Sequence, residues 1–151
     1  MTMIYLNRTT GTDKDFIQLV QLLDADLAIR DGADHAFYNQ FNQSSHLQQV
    51  LVAYLDGQPV ACGALKPFDA TGMEVKRMFT LPQHRSKGFA ARVLAALEAW
   101  ASELGYRKCI LETGRQQPEA IALYRKCGYK IITNYGPYAG IDNSVCFEKI
   151  L

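Results

Sequence analysis

Arg85, Ser86, Lys87 and Gly88 follow one another directly between a β-prone run and a helical pattern. Val75 to Leu81 is the β-prone run and stops at Pro82. Gln83 to Lys87 is a basic turn, and apolar residues recur at helical spacing after Gly88. A strand, a turn and a helix in that order aim several backbone N–H groups at one spot. The first N–H groups of a helix have no internal partner, and the helix dipole is positive there. Arg85 and Lys87 add full charges, and Gly88 removes a side chain where phosphates would approach the backbone. The Gly-Lys-Ser/Thr ending of a Walker-type loop is absent. Of the three glycines of the dinucleotide fingerprint, only Gly88 is present. The stretch reads as a phosphate or pyrophosphate cradle of neither type. The plainer alternative is a solvated strand–helix loop with two cations.

The run Arg85-Ser86-Lys87-Gly88-Phe89-Ala90 resembles the Q/R-x-x-G-x-G/A signature of the GNAT superfamily of N-acetyltransferases. The preceding Lys76-Arg77-Met78-Phe79 resembles the end of that family's fourth strand. The likeness continues through Ile110-Leu111-Glu112-Thr113, Ala122-Leu123-Tyr124 and Gly128-Tyr129. It covers roughly residues 48 to 151, and the first third is compatible with it.

The resemblance implies acetyl-CoA as co-substrate and an N-acetyltransferase activity. Its phosphates would lie on Arg85, Ser86, Lys87, Gly88, Phe89 and Ala90, with Ser86 and Phe89 acting through backbone. In the family the fourth and fifth strands splay, and the pantetheine arm enters the gap. That assigns backbone contacts to Met78, Phe79 and Thr80. Many members carry an asparagine near the start of the last helix. Here Gln117 stands in that region and would take its place. Tyr124 matches the tyrosine set to protonate the leaving sulfur, and the alternative for it is a core tyrosine. Glu74 opens the fourth strand, where some members place a base; otherwise it is a solvated strand-start glutamate. Glu112 ranks below it as base, and Asp142 below that.

Acyl transfer to an amine needs a neutral amine, a donor to the carbonyl oxygen and a proton for the thiolate. Holding both reactants together supplies much of the acceleration. Direct attack in a ternary complex is expected, because no cysteine stands in a recognisable nucleophile setting with a histidine. A covalent route through Cys127 is disfavoured. Arg77 is a cation in an expected central strand. It reads either as a fork for an acceptor carboxylate or as half of an internal salt bridge.

Phe37, Tyr38 and Phe41 gather beside Asp26, Arg30 and Asp34 in an expected second helix from Ala33 to Phe41. By the resemblance this region walls the acceptor site, with Arg30 and Tyr38 as substrate contacts. The alternative is a capped surface helix with an aromatic core face. Tyr138 lies in the Tyr135–Gly140 loop, which would close over the acceptor or pack at a subunit contact. An amino-acid-like acceptor would suit Arg77 and Arg30, and the broader expectation is a small-molecule primary amine. The rivals are a non-catalytic acyl-CoA or nucleotide sensor and a phosphate-dependent interaction module. Dimerisation is common in similar proteins, and a homodimer stays open.

The elements that must position these groups follow from patterning. The 151 residues make one domain, 1–151, of ordinary globular composition, 48% apolar and 21% charged. A net charge of +1 gives no global case for nucleic acid or an anionic membrane. The polar start and the lack of a long apolar run point to a cytoplasmic protein. Cys62, Cys109, Cys127 and Cys146 form no C-x-x-C pair and read as reduced thiols, and the three histidines share no metal spacing.

Residues 2–8 read as a strand. A Thr12/Asp15 capping box starts a helix that carries Phe16, Leu19, Val20 and Leu23 and ends near Ile29-Arg30. Val50–Leu55 and Pro59–Leu65 flank an Asp56-Gly57 hairpin. Met73–Leu81 follows as a strand, with Met73, Val75, Arg77, Phe79 and Leu81 on one face. A helix from Gly88 to Gly105, a strand Lys108–Thr113, a helix Gln116–Cys127 and strands Tyr129–Thr133 and Ser144–Leu151 complete the chain. Strand, helix, strand of this length implies a parallel pair. The expected class is therefore α/β (α+β): a mixed, mostly antiparallel sheet flanked by helices, with a splayed parallel central pair.

Overall fold

The computed structural model describes residues 2–39 and 43–151. Strand β1 (Ile4–Thr9) leads into α1 (Lys14–Asp31). The cap of α1 is Asp13, whose carboxylate accepts from the Phe16 N–H at 3.0 Å. The start therefore falls one residue later than a Thr12 box would put it. A carboxylate satisfies an orphan N–H and also complements the dipole, which a threonine hydroxyl does not. Gly32, at φ 54°, ends α1. A 3-10 turn (Gly32–Asp34) and a short helix α2 (His35–Asn39) follow, so the expected Ala33–Phe41 helix is broken in two. Phe41 lies outside the described residues.

β2 (Gln49–Leu55) and β3 (Gln58–Pro67) form the hairpin. Asp56 and Gly57 both take positive φ, 49° and 84°, as a tight two-residue turn requires. Then come β4 (Gly72–Thr80), α3 (Phe89–Glu103), β5 (Lys108–Gly114), α4 (Pro118–Lys126), β6 (Lys130–Ile132) and β7 (Ser144–Ile150). The seven strands make one sheet in the order β1-β2-β3-β4-β5-β7-β6. Among the described residues only the β4–β5 pair is parallel.

One face of the sheet packs α3 and part of α4 around Leu65, Met73, Val75, Leu94, Leu97 and Phe147. The other packs α1 around Phe16, Leu19, Val50, Val52 and Phe79. A smaller aromatic cluster of Tyr38, Tyr138 and Cys146 sits beyond it. All four cysteines are free thiols. Among the described residues no helix is long and apolar enough to cross a membrane.

Two features of β4 make the site. Its parallel ladder with β5 spans only Gly72–Glu74 against Lys108–Ile110, and the strands then part. Second, its register against β3 shifts between Cys62 and Ala64. Arg77 there takes a φ of 59°, a left-handed conformation unusual for a side chain with a Cβ. An extra residue in one strand reverses which face later residues point to. Met73 and Val75 join the α3 side, but Phe79 joins the α1 side and Met78 packs with the α3 cluster. The expected single face of Met73, Val75, Arg77 and Phe79 is thus corrected by the bulge. Gly63 lies opposite it. A Cβ there would stand 2.6 Å from the Met78 sulfur and 2.9 Å from Leu97 and Val93 carbons.

Candidate functional site

The turn before α3 leaves backbone N–H groups open at the start of the helix. The first bond of the helix runs from the Arg92 N–H to the Gly88 carbonyl oxygen, 3.1 Å. The N–H groups of Phe89, Ala90 and Ala91 therefore have no partner within the helix. Gly88 caps it at φ 88° with no side chain to occupy them, and Ser86 is also left-handed at φ 62°. A Cβ on Gly88 would meet nothing within 4 Å, so open space lies before it. The backbone conformation is what demands glycine here. Ser86, Lys87 and Gly88 are exposed. The Phe89 ring is buried against the ring of His84, 6.1 Å between centroids, which leaves only its backbone to meet a ligand. Arg85 is partly committed. Its Nε donates to the Thr80 carbonyl oxygen at 2.9 Å, and its guanidinium lies 5.5 Å from the centre of the Phe79 ring. It pins the turn to the end of β4.

Where β4 and β5 part, a cavity of about 110 Å³ opens. Leu23, Leu27 and Asp31 of α1 and Tyr38 of α2 form one wall. Val75 to Met78 of β4 and Glu112 to Gly114 of β5 form the sides, and Gln117, Ala120 and Tyr124 of α4 close it. The structure thus brings together Met78, Arg77, Tyr38, Gln117, Tyr124 and Glu112, which lie far apart in sequence.

The Tyr124 ring is wedged between Tyr129 and Phe147, each 5.9 Å away between centroids. Burial, then the Glu112 charge, push its phenol well above the ordinary range, so the hydroxyl keeps its proton. Glu112 is pushed up to about 7, chiefly by burial, although Ser144 and Lys76 pull it down. Its Oε2 is buried and has no hydrogen-bond partner. Lys76 is pushed down by burial against the pull of Glu74 and Glu112, and its Nζ donates to the Tyr138 hydroxyl at 3.4 Å.

Glu74 is buried, but not in the cavity wall. The Tyr135 hydroxyl donates to its Oε2 at 2.6 Å, and Lys76 stands 4.0 Å away. It occupies the last rung of the parallel ladder, opposite Ile110. Arg77 bonds the Asp24 carboxylate through one terminal nitrogen, and its side chain is 1% exposed. Its Nε is buried without a partner.

Three expected contacts stand elsewhere. Arg30 pairs with Asp26 at 3.3 Å and with Glu119, and reaches the Gln116 carbonyl oxygen at 3.5 Å. It clamps the end of α1 to the start of α4 rather than lining the cavity, because two carboxylates on neighbouring helices converge on it. Tyr138 stacks on Tyr38, 6.3 Å between centroids, one layer behind the wall. Asp142 is exposed, and its carbonyl accepts from Arg115. Asp31, not singled out from the sequence, is a wall residue whose carboxyl burial pushes up. Lys76 was also missed. Its signal was a lysine in a strand buried on both faces, the same signal that picked out its neighbour Arg77.

The family model described as the Acetyltransferase (GNAT) family matches residues 16–129. A protein from Azospirillum brasilense named IAA acetyltransferase is 40% identical over 102 residues, 67% of each chain. The uncharacterised N-acetyltransferase YjgM of Escherichia coli is 34% identical over 63% of this chain and 58% of its own length. A solved protein from Klebsiella pneumoniae, provisionally described as an acyl-CoA N-acyltransferase, superposes with a TM-score of 0.80 at 33% identity. It covers 99% of this chain and 98% of its own. The PaiA N-acetyltransferase of Thermoplasma acidophilum, solved with coenzyme A, has the same fold, with a TM-score of 0.72 at 19% identity and 99% of each chain covered.

Proposed function

The chain belongs to the GNAT family of acetyltransferases, and from that premise we propose that it moves an acetyl group from acetyl-CoA to the primary amine of a small molecule, by direct attack with both bound. One observation carries this reading. The open N-terminus of α3 and the gap between β4 and β5 adjoin one another along β4, and the gap ends at a protonated phenol and a carboxyl poised near neutrality.

The residues present fit coenzyme A. Phe89 and Ala90 offer partnerless N–H groups, Gly88 leaves open space, and Lys87 and Ser86 stand exposed beside them. Arg85 contributes through its remaining guanidinium nitrogens while its Nε holds Thr80. Beyond Glu74 the edge of β4 facing β5 has no ladder partner, so the backbone around Met78 and Phe79 can pair with an amide-rich arm, while the Thr80 carbonyl already accepts from Arg85. Gln117 meets the same gap from α4. Bound there, acetyl-CoA supplies an activated thioester.

The chain's own residues do the rest. Glu112, rather than Glu74, takes the proton from the acceptor's ammonium. Its Oε2 is unpartnered in the cavity, whereas Glu74 already accepts a bond from Tyr135. The amine nitrogen then bonds the acyl carbon as the carbon–sulfur bond breaks, and the second proton shed by that nitrogen passes to the departing thiolate, which leaves as the thiol. Tyr124 donates a hydrogen bond to the departing sulfur. Its phenol sits above 10 and an ordinary thiol near about 8.5, so full transfer of its proton would run uphill. Hydrogen bonding to the developing charge is the larger contribution. Tyr38, Arg77 and, behind them, Tyr138 shape the acceptor side. Four free thiols suit a reducing compartment, and a cytoplasmic site of action is part of the proposal. So is a single domain over residues 1–151, since one sheet runs from Ile4 to Ile150.

A thiol-release assay across amino acids, polyamines, aminoglycosides and peptides tests the reading. Tyr124→Phe should lower kcat by roughly 10- to 100-fold, with calorimetric binding of coenzyme A unchanged. Tight binding without turnover on any amine would instead mark a sensor.

A further inference from the structure

Two residues that line the cavity each carry a buried side-chain atom without a partner, and the two atoms are opposite in kind. Arg77 Nε is a charged donor, and Glu112 Oε2 is an acceptor. An unmet buried donor or acceptor costs more than an ordinary hydrogen bond returns. Neither is relieved within the fold. Asp24 reaches only a terminal nitrogen of Arg77 from a position 42% exposed, and Glu112 is left to Ser144 and the field of Lys76. The wall as a whole carries two cations, Lys76 and Arg77, and two acids, Glu112 and Asp31. A polycation would place excess positive charge against that balance. A molecule with one charge of each sign would answer both orphans.

We propose that the acceptor is itself zwitterionic: a small amine that also bears a carboxylate, an amino-acid-like molecule. The carboxylate takes the Arg77 Nε–H, and the amine lies at Glu112. The guanidinium fork suits a carboxylate better than a lysine would, because its planar donors are fixed in direction. Asp24 holds that fork in place from the rim. The left-handed backbone at Arg77 belongs to the same arrangement, since the bulge is what sends Arg77 to the α1 side of the sheet. The proposal rests on the acetyltransferase reading above and adds the acceptor's class to it.

Matched amines differing at one group test it: an amino acid, its carboxamide, and the amine lacking the carboxyl altogether. The carboxylate-bearing member should be favoured in kcat/KM by roughly 10- to 100-fold, as expected for a hydrogen bond to a charged group. Arg77→Gln should shrink that preference to within roughly 3-fold, with calorimetric binding of coenzyme A retained. Should Arg77→Gln fail to fold, the comparison on the wild-type protein decides alone. Equal or better turnover of the carboxamide or the decarboxylated amine overturns the zwitterion and leaves amine acetylation standing. Turnover of polyamines or aminoglycosides alone does the same. Thiol release with no amine of any kind removes the underlying reading, and the proposal with it.

Discussion

Glu112 shows what the site demands of a single residue. Its carboxyl ordinarily titrates at 4.5 and here is held to about 7, first by burial. Lys76, Asp31, Glu74 and the Ser144 hydroxyl face it, the cation and the hydroxyl favouring its ionised form and the two acids opposing it. A base must be ionised to accept a proton. We therefore expect kcat/KM to rise with pH through an inflection near 7 and to level above it, and Glu112→Gln to abolish that inflection. An unshifted inflection in the variant would assign the proton to another group. The same displacement has a stability consequence of opposite sign. Below 4.5 both the folded and unfolded chains hold this proton. Between about 4.5 and 7 the unfolded chain has released it and the folded chain has not, so stability falls as pH rises, and above 7 the full cost is present. At pH 8 Glu112→Gln should be the more stable protein, by about 3 kcal/mol. At pH 4 that advantage should vanish. Denaturant unfolding at the two pH values reads it directly, with other titrating groups common to both proteins.

At the scale of elements, the bulge in β4 decides which of its residues face α1 and which face α3. Most elements were legible: the Asp56-Gly57 hairpin, the apolar stripe of α1, Gly88 and Gly128 at helix limits, and the Arg85–Ala90 turn all declare themselves through local chemistry. The bulge does not. It arises from pairing with β3 across Gly63, a contact between strands rather than a property of the run Lys76-Arg77-Met78. Strict alternation therefore put Arg77 with Val75 and Phe79, whereas the fold sends it to Asp24. The proposal of Glu112 over Glu74 as base rests on a contact of the same long-range kind. Both are strand glutamates, and only the distant Tyr135 hydroxyl distinguishes the satisfied one. Arg30 likewise was drawn off by Glu119, which lies far along the chain. Gly63 offers the test of the bulge. A Cβ there meets the Met78 sulfur and carbons of Leu97 and Val93 inside ordinary contact. Gly63→Ala should cost about 1–3 kcal/mol by overpacking and raise KM for acetyl-CoA by displacing Met78. Adding Met78→Ala should recover part of the stability and none of the KM, since Leu97 and Val93 still crowd the new methyl. Full stability in Gly63→Ala would mean that the approach of Met78 is looser than the structure has it.

For the whole molecule the consequential fact is a seam. Strands β1 to β4 form one half of the sheet, and β5, β7 and β6 the other, and among the described residues the short Gly72–Glu74 ladder is the only strand pairing that joins them. Below that ladder α3 and α4 cover one face and α1 reaches across the other through Arg30 to Glu119. An arm inserted into the gap would supply the missing backbone partners and tie the halves together. Binding to the native state alone stabilises by mass action, about 2.7 kcal/mol at 100 times the dissociation constant. For a chain of this size that is a rise in Tm of roughly 5–10 °C. The distribution of the effect is more telling than its size. Hydrogen exchange should slow on both sides of the seam, at residues 75–80 and 111–114, when coenzyme A is added. Inorganic pyrophosphate, which reaches only the turn, should protect residues 86–91 and leave the seam unchanged. If coenzyme A produced the pyrophosphate pattern, the diphosphate would still be held by α3, but the arm would lie outside the sheet and the placement of Tyr124 and Glu112 at the thioester would fall.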